Sequence, residues 1–169
     1  MIWPGPGSIN DFTSLPDSTR STLSGDSVQV PNVSGYFSAN YRRVVIPFYF
    51  DQYKNLFGIN LPPQRLVYPP EYAYTAIKEQ TQSTYLEELS YPLRDSLYIN
   101  GMEPFEEGTL AKRFSSAVPH DFEGKEYQTK VVIRFYPSPI LIRVIVWAGI
   151  VSAIILLSKM TGRVIYSNE

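Results

Sequence analysis

The chain has no cysteine and one histidine among its 169 residues. Without thiols it can form no disulfide, hold no thiolate metal site and use no cysteine nucleophile. Neither sign of charge is in excess: 15 Lys and Arg face 16 Asp and Glu, for a net charge of -1. A chain so balanced has no electrostatic footprint for phosphate backbones, so nucleic acid is not expected as a partner. The first ten residues, MIWPGPGSIN, lack the basic n-region and apolar h-region of a signal peptide. No internal repeat is visible.

Long apolar runs are also scarce. Hydrophobic residues make up 44% of the chain, yet the mean hydropathy is only -0.14, so the apolar content must be concentrated. It lies in Ile140–Leu157, ILIRVIVWAGIVSAIILL, eighteen residues with one charge. With Ser138, Pro139 and Ser158 the segment spans about 30 Å as a helix, enough to cross a hydrocarbon core. Ser138 suits an N-cap and Pro139 the first turn, where a missing N–H costs nothing. Lys159 and Arg163 follow as an interfacial clamp. Tyr136 and Tyr166 stand outside the two ends, and Trp147 lies within; amphipathic rings favour the headgroup layer.

Arg143 is the single charge in this span. At the bilayer centre it would cost at least ~2.5 kcal/mol. Three residues inside Ile140, its stem can reach back to the headgroups; the other reading pairs it with a carboxylate of a neighbouring subunit. Ala148 with Ser152, and Gly149 with Ala153, place small residues four apart, where another helix can approach closely. The cations flanking the span are nearly balanced, with Lys125, Lys130 and Arg134 before it and Lys159 and Arg163 after it, so charge does not orient it. An N-terminus without a leader favours a topology that leaves the long N-terminal part where it is synthesised and passes only the tail through the membrane. The sequon Asn32-Val33-Ser34 then has no role.

Residues 1–40 read as an extended arm rich in Pro, Ser and Gly, with no sustained period of 3.6 or 2. The expectation is an arm ordered only by partners. Residues 41–136 form a small body. Within it, Val44–Phe50 (VVIPFYF) reads as a strand with Pro47 at an edge or bulge. Leu61–Pro70 reads as a polyproline-like connector, and Glu71–Tyr91 as a helix with a thin apolar stripe through Ala73, Ile77, Tyr85 and Leu89. Ser96–Ile99 followed by Asn100-Gly101 reads as a short run and a turn, residues 103–124 as loop, and Gln128–Tyr136 as a strand feeding the membrane segment. Residues 137–158 are then the transmembrane helix and 159–169 a short polar tail. The fold class is a small, irregular, β-containing α+β body with an extended N-terminal arm and one C-terminal transmembrane helix. Thirteen tyrosines and fourteen prolines suit contact surfaces, since tyrosine gives large contact area at low rotamer cost.

Chemistry-bearing groupings are weak. His120 with Ser115 or Ser116 lacks a nucleophile-elbow context. A metal site from His120, Asp121 and Glu123 would need neighbouring side chains to converge. Glu87/Glu88 and Glu103/Glu106/Glu107 read as solvated carboxylates, and Arg42-Arg43 beside Tyr41 is too short for a basic patch. PGPG at residues 4–7 has no following Lys-Ser/Thr to make a phosphate loop. The expectation is a non-catalytic structural subunit, with no catalytic, cofactor or metal residues, that anchors a larger protein assembly to a lipid bilayer. Two settings suit it: a minor capsid protein linking the shell of a membrane-containing virus to its membrane, or a supernumerary subunit of a membrane complex. The absent leader favours the first. The alternative is a single-pass membrane enzyme, or a subunit lending His120 and Arg143 to an active site.

Overall fold

The computed structural model describes residues 5–26, 30–55, 62–77, 84–91 and 94–166. It is an α+β fold built on one sheet. The strands are β1 (Ser18–Arg20), β2 (Val33–Ser38), β3 (Gln64–Tyr68), β4 (Thr84–Tyr91), β5 (Asp95–Met102) and β8 (Thr129–Pro137). They lie in the order β1-β2-β8-β5-β4-β3, and every neighbouring pair is antiparallel. A separate hairpin joins β6 (His120–Phe122) to β7 (Lys125–Tyr127). Helices α1 (Arg42–Asn55) and α2 (Ala73–Ala76) belong to the body, and α3 (Ile140–Tyr166) follows β8.

Strand alternation divides the sheet into two faces. On one face the pairs Leu97↔Phe135, Ile99↔Ile133 and Leu89↔Leu97 place buried side chains under α1. Helix α1 contributes Val45, Ile46, Tyr49 and Tyr53, and the N-terminal segment contributes Ile9, Phe12 and Leu15. Burying each large apolar side chain stabilises the fold by about 2 kcal/mol. The opposite face is covered in two patches. Phe37 stacks on Phe122, ring centroids 4.4 Å apart, with Tyr127 beside them, and Ala73 and Ile77 pack on Leu86.

Several expectations change. Val44–Phe50 is not a strand but the first half of α1. Its buried residues recur at 45, 46, 49 and 53, a helical period. Pro47 sits inside the helix on its exposed side and cannot donate the helical bond to the Arg43 carbonyl. Glu71–Tyr91 is not one helix. Only Ala73–Ala76 is helical and Thr84–Tyr91 is a strand; residues 78–83 lie outside the described residues. All positions from Thr84 to Ser90 are buried because both faces of β4 are covered, so no polar alternation marked it as a strand. Asn100-Gly101 is no turn: β5 runs through both residues to Met102. An ideal Cβ on Gly101 would stand 2.4 Å from the Tyr85 ring, so a glycine is needed there to let that ring cross β5.

Residues 1–40 are not simply an extended arm. They supply β1 and the interior strand β2, and Ile9, Phe12 and Leu15 enter the core. The described part of the Leu61–Pro70 connector is edge strand β3 rather than polyproline, with Leu61 outside the described residues. The stretch from 103 to 124 is mostly irregular, as expected, but ends in the β6–β7 hairpin. The strand expected over Gln128–Tyr136 is β8, shifted by one residue.

The C-terminal helix is present and longer than expected. Helix α3 extends to Tyr166, so most of the expected polar tail is helical; residues 167–169 lie outside the described residues. Its stretch Ile140–Gly162, 23 residues, is about 34 Å long, long and apolar enough to cross a membrane.

Candidate functional site

Two polar constellations stand at opposite ends of the sheet. The first is where α3 leaves it. Strand β8 carries buried Phe135, and two residues later the chain turns into the helix. Ser138 N–H donates to the Arg94 carbonyl at 3.1 Å. The Arg143 side chain turns back to the Ser138 carbonyl, donating from Nε at 2.9 Å and Nη2 at 2.7 Å. The first helical bond runs from Arg143 N–H to the Pro139 carbonyl, so the Ser138 carbonyl lies just outside the helical ladder. Arg143 supplies its donors. Arg143 thus points back along the chain toward the end of β8, the direction in which an arginine of a membrane-spanning helix would snorkel.

Arg94 itself is buried and grips Asp95 with both arms, Nε to Oδ2 at 2.7 Å and Nη2 to Oδ1 at 2.9 Å. Its guanidinium lies 4.3 Å from the Tyr91 ring centroid. Tyr53 of α1 donates its hydroxyl to Asp95. Burial, with Asp95 beside it, pushes the Tyr53 phenol well above its ordinary range, so it remains a donor. Gly5 lies against this group, since a Cβ there would come within 2.8 Å of Asp95 Oδ2. The N-terminal segment, α1, β5 and the start of α3 are thereby tied together.

The second constellation is a cleft of about 830 Å³ at the other end, between the start of α1 and edge strand β3. Here Glu87 is fully buried, with 0% side-chain exposure. It pairs with Arg42 of α1 and with Arg65 of β3, and Arg65 Nη2 also reaches Oε1 at 3.0 Å. Two guanidinium groups share one carboxylate, which is the arrangement an otherwise costly buried charge requires. Glu103 accepts the Arg42 backbone N–H at the helix start and faces Arg113 Nη2 at 3.3 Å. Arg43 pairs with Glu107. Burial holds the Glu103 carboxyl above the usual carboxylate range, partly offset by that N–H and by Arg113.

The tyrosines around the cleft are donors rather than bases. Burial raises Tyr41 and Tyr85, and burial together with Glu88 pushes Tyr68 up to about 12. Tyr68 gives its hydroxyl to Glu88 at 2.6 Å, and Ser96 donates to the same carboxylate at 2.7 Å. The site therefore offers guanidinium and hydroxyl donors around buried carboxylates. Each of the four guanidinium groups, of Arg42, Arg43, Arg65 and Arg113, is paired with a carboxylate of this chain.

Glu87, Glu88 and Glu103 are thus buried and paired, where the sequence suggested solvated carboxylates; Glu106 and Glu107 are exposed or nearly so. Arg42-Arg43, too short alone to be a patch, is joined by Arg65 and Arg113 from distant parts of the chain. Only a carboxylate placed inside a strand, with arginines 22 and 45 residues away, signals this, and sequence spacing does not reveal such pairing. His120 is not a solvated loop residue. It begins β6, its Nε2 donates to the Met102 carbonyl at 3.2 Å, and Phe37 lies edge-on to the ring. Ser115 and Ser116 are exposed. Among the described residues no group of His, Asp and Glu gathers as a metal site. His120 and Arg143 lie near opposite ends of β5, about 23 Å of strand apart. Asn32, of the sequon, accepts the Ile9 N–H, and Ser34 is buried.

On α3, Ile140, Ala148, Gly149, Ser152, Ala153, Leu157 and Lys159 are exposed and Trp147 is half-buried. Space around Gly149 is open, with nothing within 4 Å of an added Cβ. The Arg163 side chain lies outside the described residues. Comparison with protein-family models, curated proteins and solved structures finds no match to this chain.

Proposed function

We propose that this chain is a non-catalytic structural subunit that ties a larger protein assembly to a membrane. The observation that carries the reading is the junction. An inner strand of a folded sheet runs directly into a membrane-length helix, and Ser138, held by Arg94 on one side and Arg143 on the other, fixes the turn between them. A flexible tether needs no such fixation. A link that transmits position from bilayer to body does.

Exposed small residues on α3 and the charged cleft on the body then give two contact surfaces, one for a helix in the membrane and one outside it. A minor capsid protein beneath the shell of a membrane-containing virus fits this role, as does a supernumerary subunit of a membrane complex. The test is native separation of the membrane that contains the full-length chain, solubilised in mild detergent. The reading expects the chain to resist carbonate wash and to migrate with a stoichiometric, larger complex. A chain that migrates alone in mild detergent and shows turnover lost on changing His120 would replace this reading with the enzyme one.

A further inference from the structure

The sheet has two edges among the described residues, and they differ. β1 is three residues long, as short as protected edges usually are. β3 is five residues, Gln64–Tyr68, with its first four exposed, and it contains neither proline nor lysine. Pro62-Pro63 and Pro69-Pro70 bracket it, so pairing can extend along this slot and no further. Val67 is 52% exposed and Leu66 38%. Unpaired N–H and C=O groups along such an edge are a template for another strand.

We propose that the β3 edge takes up an extended segment of a partner protein, with carboxylates at alternate positions of that segment entering the arginine cleft. Side chains of an added strand alternate between faces. Those on the α1 face would meet Arg65 and Val67 and, beyond them, Arg42 and Arg43. The charges there are layered: the Arg42, Arg65 and Arg43 side chains are 37%, 47% and 76% exposed, while Glu87 beneath them is at 0%. Glu87 and Glu103 thus lie beneath the guanidinium groups, while Glu107, paired with Arg43, and Glu71 reach the cleft surface beside them. Arg42 and Arg65 share Glu87, so two guanidinium groups meet one buried carboxylate there. Side chains on the other face of the added strand would meet Leu66 and Tyr68, so apolar residues belong between the acids. Main-chain bonds would give affinity and the arginines selectivity.

A second copy of this chain fits the edge poorly. Antiparallel β3–β3 pairing centred on Leu66 would set Arg65 opposite Val67 of the second copy, an apolar residue that offers the guanidinium no carboxylate. The inference rests on the reading of the body as a holder of protein partners.

The test uses the full-length chain in phosphatidylcholine nanodiscs and two fluorescent octapeptides, one alternating glutamate with valine and one alternating lysine with valine. Anisotropy should show saturable binding of the glutamate peptide and at least tenfold weaker binding of the lysine peptide. Arg43→Glu, at an exposed position, should weaken the glutamate peptide at least tenfold, and Arg65→Gln should do likewise. Arg20→Glu, on the opposite edge, should leave it unchanged. Unaltered circular dichroism of Arg43→Glu separates lost binding from lost folding, should Arg65→Gln prove unstable. Equal binding of both peptides, no binding, or a concentration-dependent dimer that excludes the peptide would each overturn the proposal. So would normal incorporation of Arg43→Glu into the native complex together with absent peptide binding; that result leaves the assembly reading standing and removes this edge from it.

Discussion

Arg143 returns its guanidinium to the Ser138 carbonyl, five residues back, through two hydrogen bonds of 2.9 and 2.7 Å. The only charge in the apolar run thus serves a backbone acceptor that the helix ladder does not reach. A carbonyl at the membrane boundary without a donor costs free energy. The cation meets that need by pointing back along the helix, the direction that would keep it clear of hydrocarbon in a membrane-spanning α3.

Replacing this residue separates insertion from junction geometry. Arg143→Leu removes a charge from the run, so membrane insertion is expected to be retained or improved. The Ser138 carbonyl loses its donors, and amides from Tyr136 to Arg143 are expected to exchange hydrogen faster. Arg143→Lys should restore the exchange only partly, because an ammonium cannot reproduce the planar two-pronged contact. Mass spectrometry of deuterium uptake in nanodiscs checks both variants. Equal uptake across this segment in wild type and Arg143→Leu would show that the contact does not hold the junction.

The body should depend most on Glu87. Its removal leaves Arg42 and Arg65, 37% and 47% exposed, facing each other over a buried neutral side chain. Breaking one side of a fully buried ion pair costs about 3–5 kcal/mol; because water screens Arg42 and Arg65, Glu87→Gln is expected to lower the unfolding free energy by less, about 1–3 kcal/mol. Exposed Glu107→Gln, which breaks a surface pair with Arg43, should change it by less than about 1 kcal/mol. Denaturant titration of the two variants in detergent, with tyrosine emission as the probe, measures the difference. Similar costs for both would mean that burial does not govern these pairs.

What was legible in the sequence followed period and composition. The apolar run at Ile140–Leu157 and strand β8, with its alternation of buried Val131, Ile133 and Phe135, stood out because each carries a uniform pattern. β4 did not, since buried Tyr85, Glu87 and Leu89 alternate with equally buried Leu86, Glu88 and Ser90; carboxylates inside a strand imitate a polar helix face. α1 was hidden by β-branched residues and Pro47, although the spacing of Val45, Tyr49 and Tyr53 carried the helical signal. The candidate cleft was not legible at all, because Arg42, Arg65 and Arg113 meet only once α1, β3 and the 103–119 segment are packed.

Gly101 is a packing requirement, not a turn. A methyl group there would meet the Tyr85 ring at 2.4 Å, and backbone and ring cannot both stay in place. Gly101→Ala is therefore expected to destabilise by about 1–3 kcal/mol, the usual cost of overpacking. Adding Tyr85→Leu should recover part of that loss, because it removes the atoms that clash. A double-mutant cycle on unfolding free energies reads this coupling. Additive costs would show that the ring moves aside freely.

His120 gives the body a pH-dependent stability whose sign is set by burial. Its Nε2 must carry the hydrogen, since it faces the Met102 carbonyl at 3.2 Å, which leaves Nδ1 to titrate. Burial lowers the imidazole below its ordinary value, and Lys130 acts in the same direction, against the opposing pull of the Met102 carbonyl. In the window between this lowered value and about 6.5, the unfolded chain binds the proton that the folded chain refuses. Stability should therefore rise with pH through that window and be complete above it. Glu103, whose carboxyl is raised by burial, acts in the opposite sense at lower pH: stability is lost as pH climbs from the ordinary carboxylate value to the raised one. His120→Gln keeps a donor for Met102 and removes the titration, so the variant's stability should be flat where the wild type climbs. Unfolding free energies from pH 5 to 8 in one detergent test this, and parallel curves for the two proteins would show that His120 is neutral and charged with equal ease in its site.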